Sequence, residues 1–521
     1  MSHSSVAVCA LLSALVLLPA AQAHDRAPAP ATVVGDLGET TFPNSGAAAA
    51  QPDFMRGLLL LHSFEFDAAR ASFRAAIDKD PGFVMAVWGE ALSYNMPIWG
   101  EQDLLAARAV LARLAPTREE RLAKAPTERE RLYLAAVEDL YGDGDKVDRD
   151  AAYSKALGAL SQKYPDDLDA RAFYALSWLG LTGAVRDTAN YMRAAAEAEA
   201  VYEVSKRHPG ALHYLVHAYD DPVHAPLGLR AARLYGKVAP AASHAQHMPS
   251  HIFFALGMWD DAIEANIASL ATARSQGQGG YHPLEWLAYA YLQKGQQAEA
   301  AKLVAIVEQD VVKGPTQANR SSLAYLRAMW IAETGGAAGV DAWPDVSEAG
   351  IASIHAFSAQ DFVRGLAAAR QGRFEEATRY AGRLRERTER ARNHVAGVVA
   401  SRYDTVTPEE IEQGGLLALA LEGSIQCAQG DQAAGLASLR EAIAISDTLA
   451  FEYGPPFPAK PLAELLGDLL LAAGKPDEAA AAYGNSLAVH PNRKLSVEGL
   501  TAARAAAWTC LHCAAKDPAG S

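Results

Sequence analysis

A helical motif that recurs along the chain constrains the fold more than any other feature. In residues 57–81, GLLLLHSFEFDAARASFRAAIDKDP, small residues and large apolar residues alternate with helical spacing and end at a proline. The same skeleton recurs around Gly257, Gly295, Gly372 and Gly430 and in residues 470–491. A unit of two helices cannot bury its apolar face alone, so units of this kind stack side by side into a superhelix.

Composition agrees with a stacked array of helices. The chain has 521 residues, more than the roughly 100–200 of a single ordinary domain. Its net charge of −14 disfavours a nucleic-acid binder, which needs a basic surface. Helical periodicity continues almost throughout residues 51–510, without a convincing alternating strand. The sequence therefore predicts an all-α fold, a superhelical array of antiparallel helix pairs (an α-solenoid).

The first 23 residues have the pattern of a secretory signal peptide. An apolar stretch ending at Leu18 is followed by AQA, a small-x-small cleavage site that ends at Ala23. No later stretch reaches the roughly 18 consecutive apolar residues of a membrane span. We therefore predict cleavage after Ala23 and export of the mature protein into a bacterial periplasm, with no membrane span.

Two segments near the ends do not continue the repeat. Residues 24–50 are rich in Ala, Pro, Gly and Thr, which predicts a disordered leader. Residues 511–521 are predicted to be a tail. At the boundary of this tail, Cys510 and Cys513 stand in TCLHC, which lacks the histidine after the second cysteine that haem attachment needs. A local disulfide or redox pair and a metal site that includes His512 are both open.

Several segments are similar to those of a known group of proteins. They are FPNSGAAAAQPDFMRGLLLLHSFEFDAA, MAVWGEALSYNMPIW, HYLVHAYDDPVHAPLGL and HMPSHIFFALGMWDDA. With the recurring motif, they resemble exported bacterial tetratricopeptide-repeat (TPR) proteins, whose repeat is about 34 residues long. The resemblance covers most of residues 51–510 and implies a TPR-like α-solenoid. That group has no settled activity, so the resemblance implies a fold rather than a function.

Histidine is concentrated in one part of the chain. Seven of the fifteen histidines lie between residues 208 and 251: His208, His213, His217, His224, His244, His247 and His251. Residues four apart share one face of a helix, as His213 does with His217 and His247 with His251. The two pairs are separated by 34 positions, one TPR period. We therefore expect the four imidazoles to converge.

Converging imidazoles predict a transition-metal site. Imidazole nitrogens suit zinc, copper, nickel or iron, and Asp220, Asp221 and His224 offer further ligands nearby. The four paired histidines would hold one ion with four nitrogens, or two ions that share one of these carboxylates. Pro249 favours the first turn of a helix, which would place His247 on the preceding loop. The alternative is that these histidines are neutral structural groups.

Further polar and aromatic residues fall at positions that line the concave groove in TPR proteins. The repeat register around Gly257 and its counterparts identifies them. The predicted groove residues are His62, Trp88, Asn95, His244, His282, Glu285, Tyr289, Glu464 and Asp468. TPR arrays bind their ligands in this groove, so the resemblance implies a peptide, protein or small ligand there.

The functional hypotheses follow from the histidines, because the sequence has no GxSxG, HExxH, Walker or CxxCH motif. The first is an exported, non-catalytic TPR scaffold that binds its ligand in a His-rich groove, with or without a transition metal. The second is a metal-dependent hydrolase or oxidoreductase built on His213, His217, His247 and His251. The third is metal storage or delivery without turnover.

Overall fold

The structure, a computed structural model, describes residues 35–181, 186–335, 343–393, 406–449 and 453–514, with side chains to residue 508. Within these ranges the chain is helical apart from turns, a few irregular connecting segments and one short hairpin, which confirms the predicted all-α array. The helices, in chain order, are α1 (Gln51–His62), α2 (Phe66–Lys79), α3 (Val84–Leu92), α4 (Leu104–Ala112), α5 (Arg118–Ala123), α6 (Glu128–Leu140), α7 (Lys146–Lys163), α8 (Leu168–Gly180), α9 (Thr188–Val204), α10 (Pro209–Ala218), α11 (Ala225–Val238), α12 (Ser243–His247), α13 (Pro249–Ala255), α14 (Trp259–Ser275), α15 (Tyr281–Gln293), α16 (Gln297–Lys313), α17 (Gln317–Thr334), α18 (His355–Arg370), α19 (Phe374–Asn393), α20 (Pro408–Ala428), α21 (Gln432–Ser446), α22 (Leu462–Ala472), α23 (Pro476–Val489) and α24 (Lys494–Ala514).

The helices stack in sequence order. Almost every helix packs against the next, as α1 does on α2, α8 on α9 and α20 on α21. Helices two apart also touch, for example α8 with α10, α15 with α17 and α18 with α20. This is the contact pattern of helix pairs laid side by side in a solenoid. The short hairpin consists of β1 (Asn95–Met96) and β2 (Glu101–Gln102), joined through the 3-10 turn Pro97–Trp99.

Small residues allow the two helices of a pair to approach closely. A Cβ atom added to Gly57 in α1 would lie 2.9 Å from the ring of Phe73 in α2. The same relation recurs at the end of the array, where a Cβ on Gly467 would lie 2.8 Å from the ring of Tyr483. Real Cβ atoms do not approach so closely, so these crossings require glycine. The recurring small and aromatic residues of the sequence are thus partners in packing.

The predicted disordered leader is wrong over residues 35–50. Leu37 and Phe42 are buried in the main hydrophobic core. The hydroxyl of Thr40 donates to Asp169 Oδ2 at 2.7 Å. The segment therefore packs against the array, because its few apolar residues find a place between the helices that composition does not reveal. Residues 1–34, and with them the predicted cleavage site, lie outside the described residues.

The C-terminal end of the array contacts its middle. Trp259 Nε1 donates to the carbonyl oxygen of Asn492 at 3.1 Å, and the backbone N–H of Lys494 donates to Gln293 Oε1 at 2.9 Å. Among the helices of the described ranges, none is long and apolar enough to cross a membrane. The side chains of Cys510 and Cys513 lie outside the described residues, so the proposed redox pair stays a prediction.

Candidate metal centre

Four helices bring six histidines together. His213 and His217 lie on α10, His244 and His247 on α12, His251 on α13 and His282 on α15. Pro249 occupies the first turn of α13, as expected, but His247 lies within the short helix α12 rather than on a loop. The imidazoles fall into two sets in which one ligand atom of each residue lies within 4.8 Å of the others. The first triad is His213, His217 and His244, and the second triad is His247, His251 and His282.

The first triad has its Nε2 atoms at the spacing of metal ligands. His213 Nε2 lies 3.1 Å from His217 Nε2 and 3.1 Å from His244 Nε2. Nitrogens bound to one tetrahedral zinc ion at about 2.0 Å lie roughly 3.3 Å apart. His213 Nδ1 lies 2.7 Å from the carbonyl oxygen of His62, which only accepts, so Nδ1 bears the proton. The Nε2 lone pair of His213 therefore faces the other two imidazoles.

The second triad is oriented in the same manner. His251 Nδ1 donates to Asp220 Oδ2 at 2.5 Å, and His247 Nδ1 donates to Asn266 Oδ1 at 2.7 Å. The Asn266 amide nitrogen donates to a backbone carbonyl, which leaves its oxygen to face His247. His247 Nε2 is buried and has no hydrogen-bond partner. Metal-binding histidines generally donate their second N–H to such a carboxylate or carbonyl oxygen, which aims the first nitrogen at the metal.

Aromatic rings enclose both triads. The Phe64 ring centroid lies 4.3 Å from that of His213, and it stacks on His217 and His244 at 5.8 and 5.6 Å. Phe64 has φ +55°, a conformation that is rare for a bulky residue and often marks a functional site. Trp286 plays the corresponding part at the second triad, with its ring 4.4 Å from His251. Each triad thus has its own apolar wall.

Burial keeps most of these imidazoles neutral. It lowers the pKa of His213, His217, His244 and His247 well below the ordinary value, and the neighbouring imidazoles lower the pKa further. A neutral imidazole has a lone pair to offer to a metal ion. The site reaches the surface at the exposed His282 and beside Trp99, whose side chain is 50% exposed.

A third cluster, His62, Asp169 and His208, is structural. All three residues are fully buried. His62 Nε2 donates to Asp169 Oδ1 at 2.8 Å and His62 Nδ1 bonds the hydroxyl of Tyr214 at 2.9 Å, so both ring nitrogens are engaged. Burial would raise the pKa of Asp169, but the imidazoles of His208 and His62, whose Nε2 atoms lie 3.5 and 2.8 Å from Asp169 Oδ1, lower it. His62 was predicted to line the groove; instead, its carbonyl oxygen orients His213.

The carboxylates predicted as metal ligands have other partners. Asp220 accepts from His251 Nδ1, so it orients a ligand. Asp221 forms a salt bridge with Arg186 at 2.8 Å, and His224 Nδ1 donates to Asp221 Oδ2 at 2.8 Å. The prediction that Asp220 or Asp221 bridges two ions, with His224 as a further ligand, therefore has no support in the geometry.

Several predicted groove residues are buried rather than open to a ligand. Trp88 is 1% exposed and packs on Phe42 and Tyr133, and Asn95 accepts from Gln102 within the β1–β2 hairpin. Their repeat positions are concave in an open array, but the hairpin and residues 35–50 cover them here. They are core residues, contrary to the prediction.

The groove residues near the C-terminus form a buried ionic network. Arg493 bonds Glu464 through Nε at 2.7 Å and the hydroxyl of Tyr289 through Nη1 at 2.7 Å. Lys460 Nζ lies 2.6 Å from Glu464 Oε1 and 2.8 Å from Asp468 Oδ2. Glu464 and Tyr289 are thus engaged inside the protein and are not groove contacts. Asp468 and Glu285 are half-buried.

His244 and His282 were predicted as groove residues and not as metal ligands, yet they complete the two triads. The i, i+4 spacing selected His213, His217, His247 and His251 and missed the partners on other helices. The signal that identifies them is their repeat position, since His244 and His282 fall at the same position of successive repeats, and the stacking of those repeats brings His282 next to His247. The rings of His247 and His282 lie 4.5 Å apart.

A proline-rich segment, residues 453–461, crosses next to the second triad; we call it the strap. A Cβ on Gly454 would collide with the Trp286 ring, so the strap backbone lies directly against that ring. The Tyr453 hydroxyl accepts from Arg186 Nη1 at 2.9 Å, and the Tyr325 hydroxyl donates to the carbonyl oxygen of Pro455 at 3.2 Å. The strap therefore holds Trp286 against His251.

Comparisons with known proteins give only remote likenesses. No family model matches the chain, and no curated protein matches it. Among solved structures, a monomeric IFIT1 mutant with Gppp-AAAA is 13% identical, with 81% of this chain and 90% of that chain covered and a TM-score of 0.38.

Two further structures are similar at the same level. The Cut9–Hcn1 hetero-tetramer of the APC/C is 12% identical, with 89% of this chain and 78% of that chain covered and a TM-score of 0.35. Yeast Tom70 is 10% identical, with 88% and 96% covered and a TM-score of 0.30. Likenesses this remote transfer no ligand or partner, and the fold class rests on the helix pairing of the chain itself.

Proposed function

We propose that this protein is a TPR-like scaffold that binds transition-metal ions through its histidine triads. The supporting observation is the convergence of the three Nε2 atoms of His213, His217 and His244, two pairs of which lie 3.1 Å apart. His213 Nε2 has one lone pair, so it can accept a hydrogen bond in good geometry from only one of its two imidazole neighbours. One cation that accepts a lone pair from each ring satisfies all three.

The ligand of the scaffold, a peptide, protein or small molecule, binds beside or on the metal. Three protein nitrogens leave a coordination position open, and the exposed His282 and Trp99 mark the route from the surface. We also propose that the protein functions after export, as the pattern of residues 1–23 predicts.

Metal analysis of the full-length chain tests the proposal. The protein is purified without a histidine tag, incubated with zinc, dialysed and analysed for bound metal. We expect at least one zinc ion per chain in the wild type and a loss of zinc in a His217→Gln/His251→Gln variant that keeps its helical circular dichroism. A His224→Gln variant is the matched control, because His224 pairs with Asp221 outside the triads. Wild-type protein that retains no zinc, copper, nickel or cobalt overturns the proposal.

A metal-dependent enzyme is the second candidate, favoured by the open coordination position. Catalytic zinc sites have three protein ligands and a water, whereas structural sites have four protein ligands. Azide titration of cobalt-loaded protein distinguishes the two roles. A shift of the visible spectrum upon azide addition indicates an exchangeable position suited to catalysis or ligand binding. An unchanged spectrum indicates a closed structural site.

A further inference from the structure

We propose that the two triads bind two metal ions side by side, as a dinuclear centre. This inference rests on the proposed metal-binding function. The ligand atoms of the six histidines divide into two sets, each within 4.8 Å. Nitrogens that bind one zinc or copper ion at about 2.0–2.1 Å are at most about 4.2 Å apart, and the six histidines form two such compact sets rather than one. Two ions, each with three nitrogens, use every ligand.

Each triad has its own supporting groups, which indicates two sites rather than one site with spare histidines. In the first triad, the carbonyl oxygen of His62 orients His213. In the second, Asp220 orients His251 and Asn266 orients His247. His247 Nε2 is buried without a hydrogen-bond partner, which is costly unless the atom has a ligand. Orientation of both triads by outer hydrogen bonds is the arrangement that metal sites need.

Helix α12 joins the two sites. His244 belongs to the first triad and His247, three residues later on the same helix face, belongs to the second. Their ring centroids lie 6.4 Å apart, and His217 and His251 face each other across the same boundary at 6.1 Å. Ions at the two triads are therefore neighbours. Two-metal sites in enzymes typically hold their ions about 3.5–4 Å apart.

The ligand set favours first-row transition ions with affinity for nitrogen. All six ligands are imidazoles, and the nearby carboxylates Asp220 and Asp221 are engaged with His251, His224 and Arg186. Imidazole suits copper and zinc, and copper(II) binds most tightly among the divalent ions of the series. Because the six ligands are neutral, they do not balance the positive charge of two divalent ions, and an anion bound between the ions would balance it.

Copper loading of full-length protein tests the pairing. Copper(II) is added to saturation, excess is removed, and both copper content and the electron paramagnetic resonance spectrum are measured. We expect two ions per chain in the wild type, with spin–spin interaction that reduces or broadens the signal. His244→Gln and His282→Gln each remove one triad, so each variant is expected to bind one ion with an unperturbed mononuclear signal. His224→Gln is expected to behave as the wild type.

The outcomes separate this inference from the proposed function. One copper ion per wild-type chain overturns the pair and leaves the metal-binding scaffold intact. Two ions with independent, unperturbed signals also overturn the pair, because the ions are then not adjacent. No bound copper or zinc overturns both proposals. His282 is exposed, so His282→Gln leaves the core undisturbed, and circular dichroism confirms the fold of every variant.

Discussion

His251 donates from Nδ1 to Asp220 Oδ2 at 2.5 Å, a contact between two different helix pairs that sets which nitrogen of His251 faces His247. A carboxylate in this position makes the imidazole a better metal ligand and fixes its orientation. The buried Asp220 has no other role among the contacts described above. Its substitution is therefore a direct probe of the second triad.

The Asp220→Asn variant is expected to bind metal more weakly at the second triad. Loss of such an outer carboxylate typically lowers metal affinity about 10–100-fold. Zinc affinity is measured by competition with a chelator. Asp221→Asn is the matched control, since Asp221 pairs with Arg186 and His224. Equal affinities in Asp220→Asn and wild type would contradict the role given to Asp220.

The strap is expected to maintain the position of Trp286. A Cβ at residue 454 collides with the Trp286 ring, and Gly454 has φ +90°. Gly454→Ala therefore combines steric overlap with backbone strain. We expect the overlap to lower the free energy of unfolding by about 1–3 kcal/mol, in addition to the loss caused by the strain. Gly474→Ala, at φ +73° with open space around the new methyl group, measures the strain alone, about 1–2 kcal/mol. Urea unfolding compares the two, and equal losses would refute the contact.

Close helix packing predicts opposite effects at two helical glycines. Gly57→Ala places a methyl group 2.9 Å from the Phe73 ring and is expected to destabilise the protein by about 1–3 kcal/mol. Gly484→Ala, on α23 with nothing near the added Cβ, is expected to stabilise it by up to about 1 kcal/mol through helix propensity. The measurement is the urea midpoint of each variant. A stabilising Gly57→Ala would show that this crossing tolerates a side chain.

These glycines also show how far the sequence determines the fold. The recurrence of small and aromatic residues is enough to predict an all-α array, because each helix pair needs the same close crossing. This recurrence is not enough to predict which helix faces stay open to solvent or to a ligand. Trp88 and Asn95 have groove positions in the repeat, but residues 35–50 and the β1–β2 hairpin cover them, and neither segment has a helical period in the sequence.

The sequence predicts only part of the candidate site, because spacing along one helix does not show which other helices pack beside it. Spacing along a helix identifies ligands that share a face, and it placed His213, His217, His247 and His251 together. Ligands such as His282 come from other helices, and only the stacking of repeats determines their distance. The roles of Asp220 and Asn266 depend on side-chain contacts between helices, which spacing in one sequence does not encode.

The buried ion pair of Glu464 with Arg493 is expected to make stability depend on pH. Burial alone would raise the pKa of Glu464, but Arg493 and Lys460 outweigh it and hold the pKa below the ordinary value. The ionised carboxylate thus stabilises the fold at neutral pH. This contribution is lost as the pH falls from the ordinary glutamate pKa, about 4.3, towards the lower pKa that Glu464 has in the folded protein.

Glu464→Gln tests this contribution. Removing one partner leaves Arg493 buried with a charge that is less well compensated, which typically costs about 3–5 kcal/mol. We expect that loss at pH 7 and a smaller difference from wild type at pH 3, inside the range where the contribution is lost, both measured by urea unfolding. Glu478→Gln is the control, because Glu478 pairs with Arg440 and Lys475 at the surface. A wild-type advantage that is equal at both pH values would contradict the assigned titration.

The most direct test of the metal centre is an anomalous-scattering map from crystals of the zinc-loaded, full-length protein, recorded on both sides of the zinc absorption edge. The geometry predicts one peak about 2.0–2.1 Å from the Nε2 atoms of His213, His217 and His244, and a second peak within reach of His247, His251 and His282. Crystals that contain zinc but show no peak at either triad would contradict the claim that these histidines form a metal site.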